Sequence, residues 1–171
     1  MYMKIIITED QLKGLLGGKK ITLYHGTDIE HKFNQAGDFQ NGSFFSTEQY
    51  FAETWGKFIY EVQISPELNL FNSWNPTHVQ ELLDNVKDIK NPFAVEEEET
   101  EVSEVSQIVK NPDNWIIFED NPQVIPWISS RYDGVWVWED VENLLLFSPV
   151  DSKVIGSKLI KSDNVYDRVK S

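Results

Sequence analysis

Between Lys57 and Ile64 every second residue is apolar: Phe58, Tyr60, Val62 and Ile64. A period of two places these side chains on one face of a strand and commits this part of the chain to a sheet. Comparable short runs recur along the sequence. Ile21 to His25 reads as a strand, Ser43 to Phe45 as a shorter one, and Leu68 to Phe71 as a continuation of the same sheet. Tyr132 to Trp138, Leu144 to Phe147 and Lys153 to Ile160 are three late strands, and Lys4 to Ile7 is an early one.

Helical signals lie between these runs. Thr8 with Gln11 forms a capping box for a short helix from Gln11 to Leu16, which Gly17-Gly18 would stop. Thr47 to Trp55 reads as a helix with Ser46 or Thr47 as its cap and Gly56 as its stop. Pro76 to Ile89 is amphipathic through Val79, Leu82, Leu83 and Val86. Asp113 to Glu119 and Pro122 to Ser130 are short helical segments around Trp115 and Trp127. Residues 28–42 read as a long loop, and Glu139 to Asn143 as an acidic turn. Many short strands with grouped rather than alternating helices predict an α+β domain, not a doubly wound parallel sheet.

The chain has 171 residues, of which 40% are hydrophobic and 13% aromatic, so one domain spanning residues 1–171 with a real core is expected. No apolar run approaches the roughly 20 residues of a membrane span, so no membrane partner is expected. The opening "MYMKIIITED" lacks the apolar core and cleavage site of a signal peptide. There is no cysteine, which excludes disulfides and thiolate metal sites and fits a cytoplasmic setting. The three histidines, His25, His31 and His78, have no short metal-ligand spacing, so no metal is expected. The net charge is −13 and the longest basic cluster is Lys19-Lys20, so direct nucleic-acid binding is not expected. Residues 91–110 form an acidic insertion, with six glutamates among residues 96–104. A solvated insertion is the plain reading of it. A sharper one makes the protein a non-catalytic acidic decoy that imitates phosphates before a nucleic-acid-binding partner. Neither a Gly-rich phosphate loop nor a G-x-S-x-G elbow is present.

The stretch "ITLYHGTD" (residues 21–28) ends a strand in His25-Gly26-Thr27. A histidine followed by a glycine, whose backbone is unusually free, suits the rim of a pocket. The segment "LYHGT" resembles the first signature of the ADP-ribosyltransferase superfamily, on its poly(ADP-ribose) polymerase and diphtheria-toxin side. "NGSFFSTEQYFAETWG" (residues 41–56) is similar to the second, with Gly42, Phe44, Phe45, Ala52 and Trp55 at its spacing. "ENLLLFSP" (residues 142–149) resembles the third, in which a glutamate opens a late strand. The three occur in the family's order. Trp55 stands where tyrosine is usual, and often so does Phe44. Counting back from Phe147, the glutamate position falls on Asn143, with Glu142 beside it; some small members instead carry the acid where Glu139 stands.

The resemblance implies an α+β fold with a split antiparallel sheet core and flanking helices. It implies cleavage of NAD between nicotinamide and ribose through an oxocarbenium-like transition state, with no metal. The ADP-ribose would pass to a macromolecule, and polymer synthesis is not expected of so short a chain; a host protein modified by a phage or bacterial effector is the implied acceptor. Tyr24, His25, Gly26 and Thr27 would bind NAD. Phe44 and Trp55 would flank the nicotinamide, Phe45 would belong to the same NAD-binding set, and Ser46 would position the nicotinamide end. Glu142 or Glu139 would be the catalytic acid. An RNA 2′-phosphotransferase also carries a His-Gly-Thr segment, but this chain offers only Arg131 and Arg168 for RNA phosphates.

Overall fold

The structure is a computed structural model and describes residues 21–29, 42–95 and 100–162. The strand expected at Lys4 to Ile7, the helix at Gln11 to Leu16, most of the loop at 28–42 and Glu96 to Glu99 lie outside the described residues. Among the described residues seven strands form one open sheet: β1 (Ile21–Thr27), β2 (Gly42–Ser46), β3 (Phe58–Ile64), β4 (Leu70–Asn72), β5 (Gly134–Glu139), β6 (Val141–Phe147) and β7 (Val154–Lys161). Their order across the sheet is β4-β5-β6-β2-β1-β3-β7, with β4 and β5 parallel and every other pair antiparallel. Five α-helices accompany them among the described residues: α1 (Gln49–Ala52), α2 (Pro76–Asn85), α3 (Ser106–Val109), α4 (Trp115–Asp120) and α5 (Val124–Ser129). The architecture is mixed α+β.

Strand alternation sorts the apolar residues into two clusters, one on each face of β2, β5 and β6. On one face Val135, Val137, Leu145 and Phe147 pack under the helices, against residues such as Leu82, Ile108, Phe118 and Ile128. On the other, Trp136, Leu144, Leu146 and Phe45 join Leu23, Tyr60, Val62 and Ile64. The alternating run that predicted β3 therefore buries the expected face, with Phe58 packed at its edge. α2 begins as its sequence suggests: the Asn75 side chain accepts from the Thr77 N–H at 2.9 Å, and Pro76 occupies the first turn. It ends at Asn85, earlier than the periodicity indicates, because Val86 is extended and Asp88 takes a φ of 57°.

The middle of the sheet is its least paired seam. β1 pairs with β3 from Ile21 to Thr27, and β2 with β6 from Gly42 to Ser46, whereas β1 meets β2 in register only at Tyr24 opposite Ser46. The seam is reinforced by a side chain: His25 Nδ1 lies 2.6 Å from the Phe44 carbonyl oxygen. A carbonyl can only accept, so Nδ1 carries the proton and donates it.

Two expectations need correction in length. The helix predicted from Thr47 to Trp55 is a single turn, Gln49–Ala52, continued by turn geometry in which the Trp55 N–H donates to the Ala52 carbonyl at 3.0 Å. The acidic turn predicted from Glu139 to Asn143 shrinks to Asp140 alone, with φ 59°. Aspartate tolerates that left-handed conformation, so one residue reverses the chain and both strands run up to it.

Candidate functional site

On the helix-covered face, a cavity of about 180 Å³ opens between the seam and α4. Its lining is Phe44, Trp55, Trp115, Glu119, Val137, Glu139 and Asn143. The sheet forms the floor. Val137 and Glu139 are two apart on β5, so both face the same side, and Asn143 sits directly opposite Val137 on β6. Phe44 comes from β2, opposite Leu145 of β6. Trp55 follows α1 and packs against Phe44 with ring centroids 6.0 Å apart, while Phe51 meets its edge at 5.4 Å. The far wall is α4, where Trp115 and Glu119 are four residues apart and so share one face of the helix.

Each wall is held by specific contacts. Asn114, fully buried just before α4, donates through Nδ2 to Ser73 Oγ at 2.8 Å and to the Ile108 carbonyl at 3.2 Å. Its Oδ1 accepts from the Trp138 N–H at 2.9 Å, which fastens the start of α4 to β5. On the other side, Ser46 Oγ accepts from the Glu48 N–H at 3.2 Å, and the Thr47 N–H and hydroxyl donate to the Glu142 carbonyl at 3.1 and 3.2 Å. The approach to α1 is thus tied to β6. The tightest contact is at Gly26. A Cβ there would lie 1.9 Å from the Ala52 carbonyl oxygen, and one at Gly56 would lie 2.3 Å from the Thr27 carbonyl carbon. These two glycines let the end of α1 and the turn after it lie directly on β1, which places Trp55 over the cavity.

The structure therefore brings Phe44, Trp55 and Glu139 together. Glu142 is not part of the lining: it sits opposite Trp138, one residue before Asn143, and strand alternation turns it toward the face of Leu144 and Leu146. Phe45 and His25 share that face as well, with ring centroids 4.9 Å apart. His25 is 5% exposed and Thr27 is buried, its hydroxyl accepting from the Ile29 N–H at 3.1 Å. Tyr24 is half-buried at the seam beside Ser46. Trp115, Glu119, Val137 and Asn143 were not singled out as site residues from the sequence. The four-residue spacing of Trp115 and Glu119 on a short helix was the available signal for the first two.

Chemically, the cavity combines three aromatic faces, two carboxylates and one carboxamide. Aromatic faces receive a flat ring, and ring faces beside carboxylates favour positive charge. Among the described residues no group of three or more His, Cys, Asp or Glu is placed to hold a metal ion, and no helix is long and apolar enough to cross a membrane.

No family model and no curated protein matches the chain. Among solved structures, it is similar to the crystal structure of an anti-CRISPR protein, with a TM-score of 0.44 and 11% sequence identity over 84% of this chain and 98% of that one. Likeness at that level carries no argument about fold family or activity.

Proposed function

We propose that the protein is an NAD-dependent mono-ADP-ribosyltransferase of the superfamily its sequence resembles, with the nicotinamide end of NAD seated in the cavity. The observation that supports this reading is the convergence of Phe44, Trp55 and Glu139 on one cavity. The resemblance had assigned them, from separate parts of the chain, to nicotinamide stacking and to the catalytic acid. In this reading the single-pair seam between β1 and β2 is the split of the family's sheet. Asn143 occupies the β6 position where the third signature has its glutamate, and Glu139, on the neighbouring strand, supplies the charge.

Phe44, Trp55 and Trp115 hold the pyridinium ring, and Glu139 faces the ribose carbon that becomes cationic as the glycosidic bond breaks. The bonding pair leaves with nicotinamide, the acceptor's nucleophile attacks the same carbon, and its proton passes to base or solvent. Positioning and charge stabilisation account for the rate in such a step. His25, Gly26 and Thr27 serve by building the strand end on which α1 and Trp55 are seated. The acceptor is a macromolecule, with a host protein as the proposed class.

Incubation of the purified protein with labelled NAD and bacterial lysates should mark a discrete band, and calorimetry should detect NAD binding. Absence of both binding and labelling would remove the enzymatic reading and leave the acidic decoy.

A further inference from the structure

Asn143 is 1% exposed, lines the cavity, and leaves its Oδ1 without a hydrogen-bond partner among the described residues. An unpaired buried carbonyl oxygen is costly and uncommon in folded proteins. The sheet explains why none of its neighbours relieves it. Across the strands it faces Val137, which has no polar side-chain atom, and Ser46, whose Oγ accepts from the Glu48 N–H and makes no hydrogen bond to Asn143 Oδ1. Its place is on the floor of the cavity, beneath Phe44, Trp55 and Trp115.

The volume limits what can meet it. An apolar cavity of about 150 Å³ accommodates a benzene ring, and this one measures about 180 Å³. One ring with a short substituent therefore fills it. A ring stacked on the aromatic walls satisfies Asn143 only when its substituent carries a hydrogen-bond donor. Glu119 is exposed and Glu139 half-buried, so water competes for their oxygens, whereas Asn143 Oδ1 is closed to bulk water.

We propose that Asn143 is the specificity residue of the cavity, accepting a hydrogen bond from the N–H₂ of an aromatic carboxamide and so selecting that group over the same ring bearing an acetyl group. The inference rests on reading the cavity as the nicotinamide site, and it adds the atom that reads the amide.

The test uses nicotinamide and 3-acetylpyridine, which share ring and carbonyl and differ in the N–H₂. Binding to the full chain is followed by calorimetry and by quenching of tryptophan emission. The wild type should bind nicotinamide about tenfold more tightly, the scale of one net hydrogen bond. Asn143→Leu, similar in size but without an acceptor, should bind the two equally. A preference retained in Asn143→Leu, equal binding in the wild type, or no binding of either ring overturns the proposal. The wild-type comparison decides by itself should the variant not fold. The ADP-ribose transfer assay separates the two readings. A carboxamide preference with neither NAD binding nor transfer leaves Asn143's role standing and removes the transferase. Transfer without the preference does the reverse.

Discussion

At Glu142 and Asn143 one step along β6 decides which environment a side chain meets. Asn143 faces the cavity and Glu142 the opposite side of the sheet, while Glu139, reached through the turn at Asp140, returns to the cavity face. Of the two glutamates that the sequence left open, Glu139 is therefore the one that lines the cavity. Glu139→Gln should lower ADP-ribose transfer by roughly 10²–10³, the scale of removing one electrostatic stabiliser of a transition state, with a much smaller change in NAD affinity. Glu142→Gln should retain near-normal transfer; a loss confined to Glu142→Gln would move the catalytic acid to the other face. Gly26 calls for a different expectation. Its hydrogen atom faces the Ala52 carbonyl at a distance no Cβ tolerates, so Gly26→Ala should destabilise the fold by about 1–3 kcal/mol through forced separation of β1 and α1. Thermal unfolding measures this; an unchanged melting temperature would place the glycine's importance in ligand approach instead. The sequence pointed to Gly26 as special but could not say against what, because Ala52 reaches it only after the chain has turned through β2. The face of Glu142 was equally hidden: it depends on a turn of one residue rather than five.

At the scale of elements, the cavity exists because short pieces are pinned to the sheet. α4 has only six residues, too few to be stable by itself. Asn114 compensates by joining Ser73, Ile108 and the β5 backbone at Trp138 through one buried carboxamide. Asn114→Ala would leave the Trp138 N–H and the Ser73 hydroxyl without that partner and would loosen the wall that carries Trp115 and Glu119. The expected loss is about 2–3 kcal/mol, and ligand affinity should fall along with it although Asn114 is not part of the lining. Denaturant unfolding, read beside nicotinamide binding, checks both; a stable variant with intact binding would show that α4 is held chiefly by Ile117 and Phe118 in the core. Elements of this kind were partly legible. The periodic ones, β3 and α2, could be located from alternation or from the amphipathic spacing that follows Pro76. α1 was overestimated because its apolar spacing continues to Trp55, whereas its hydrogen bonding tightens at Ala52.

For the whole molecule, the abundance of short strands foretold a mixed fold, but not the order β4-β5-β6-β2-β1-β3-β7. That order brings β2 beside β6, partners about a hundred residues apart in sequence, and local patterns carry no information about such a pairing. Charge, in contrast, belongs to the whole chain and is readable at once. At −13, the protein presents a net repulsive field to a dinucleotide whose two phosphates outweigh its single pyridinium charge. Raising ionic strength from about 0.01 M to about 0.1 M shortens the screening length from roughly 30 Å to roughly 10 Å. Long-range repulsion should fade while contacts within the cavity persist. NAD should therefore bind several-fold more tightly at the higher salt, and free nicotinamide, which is neutral, should bind equally well at both. Thermal stability should rise over the same range as the chain's self-repulsion is screened, which serves as the internal control. If NAD binding instead weakens with salt while nicotinamide binding does not, lysines close to the pyrophosphate must outweigh the field of the whole molecule, and the dinucleotide's path beyond the cavity would have to follow them.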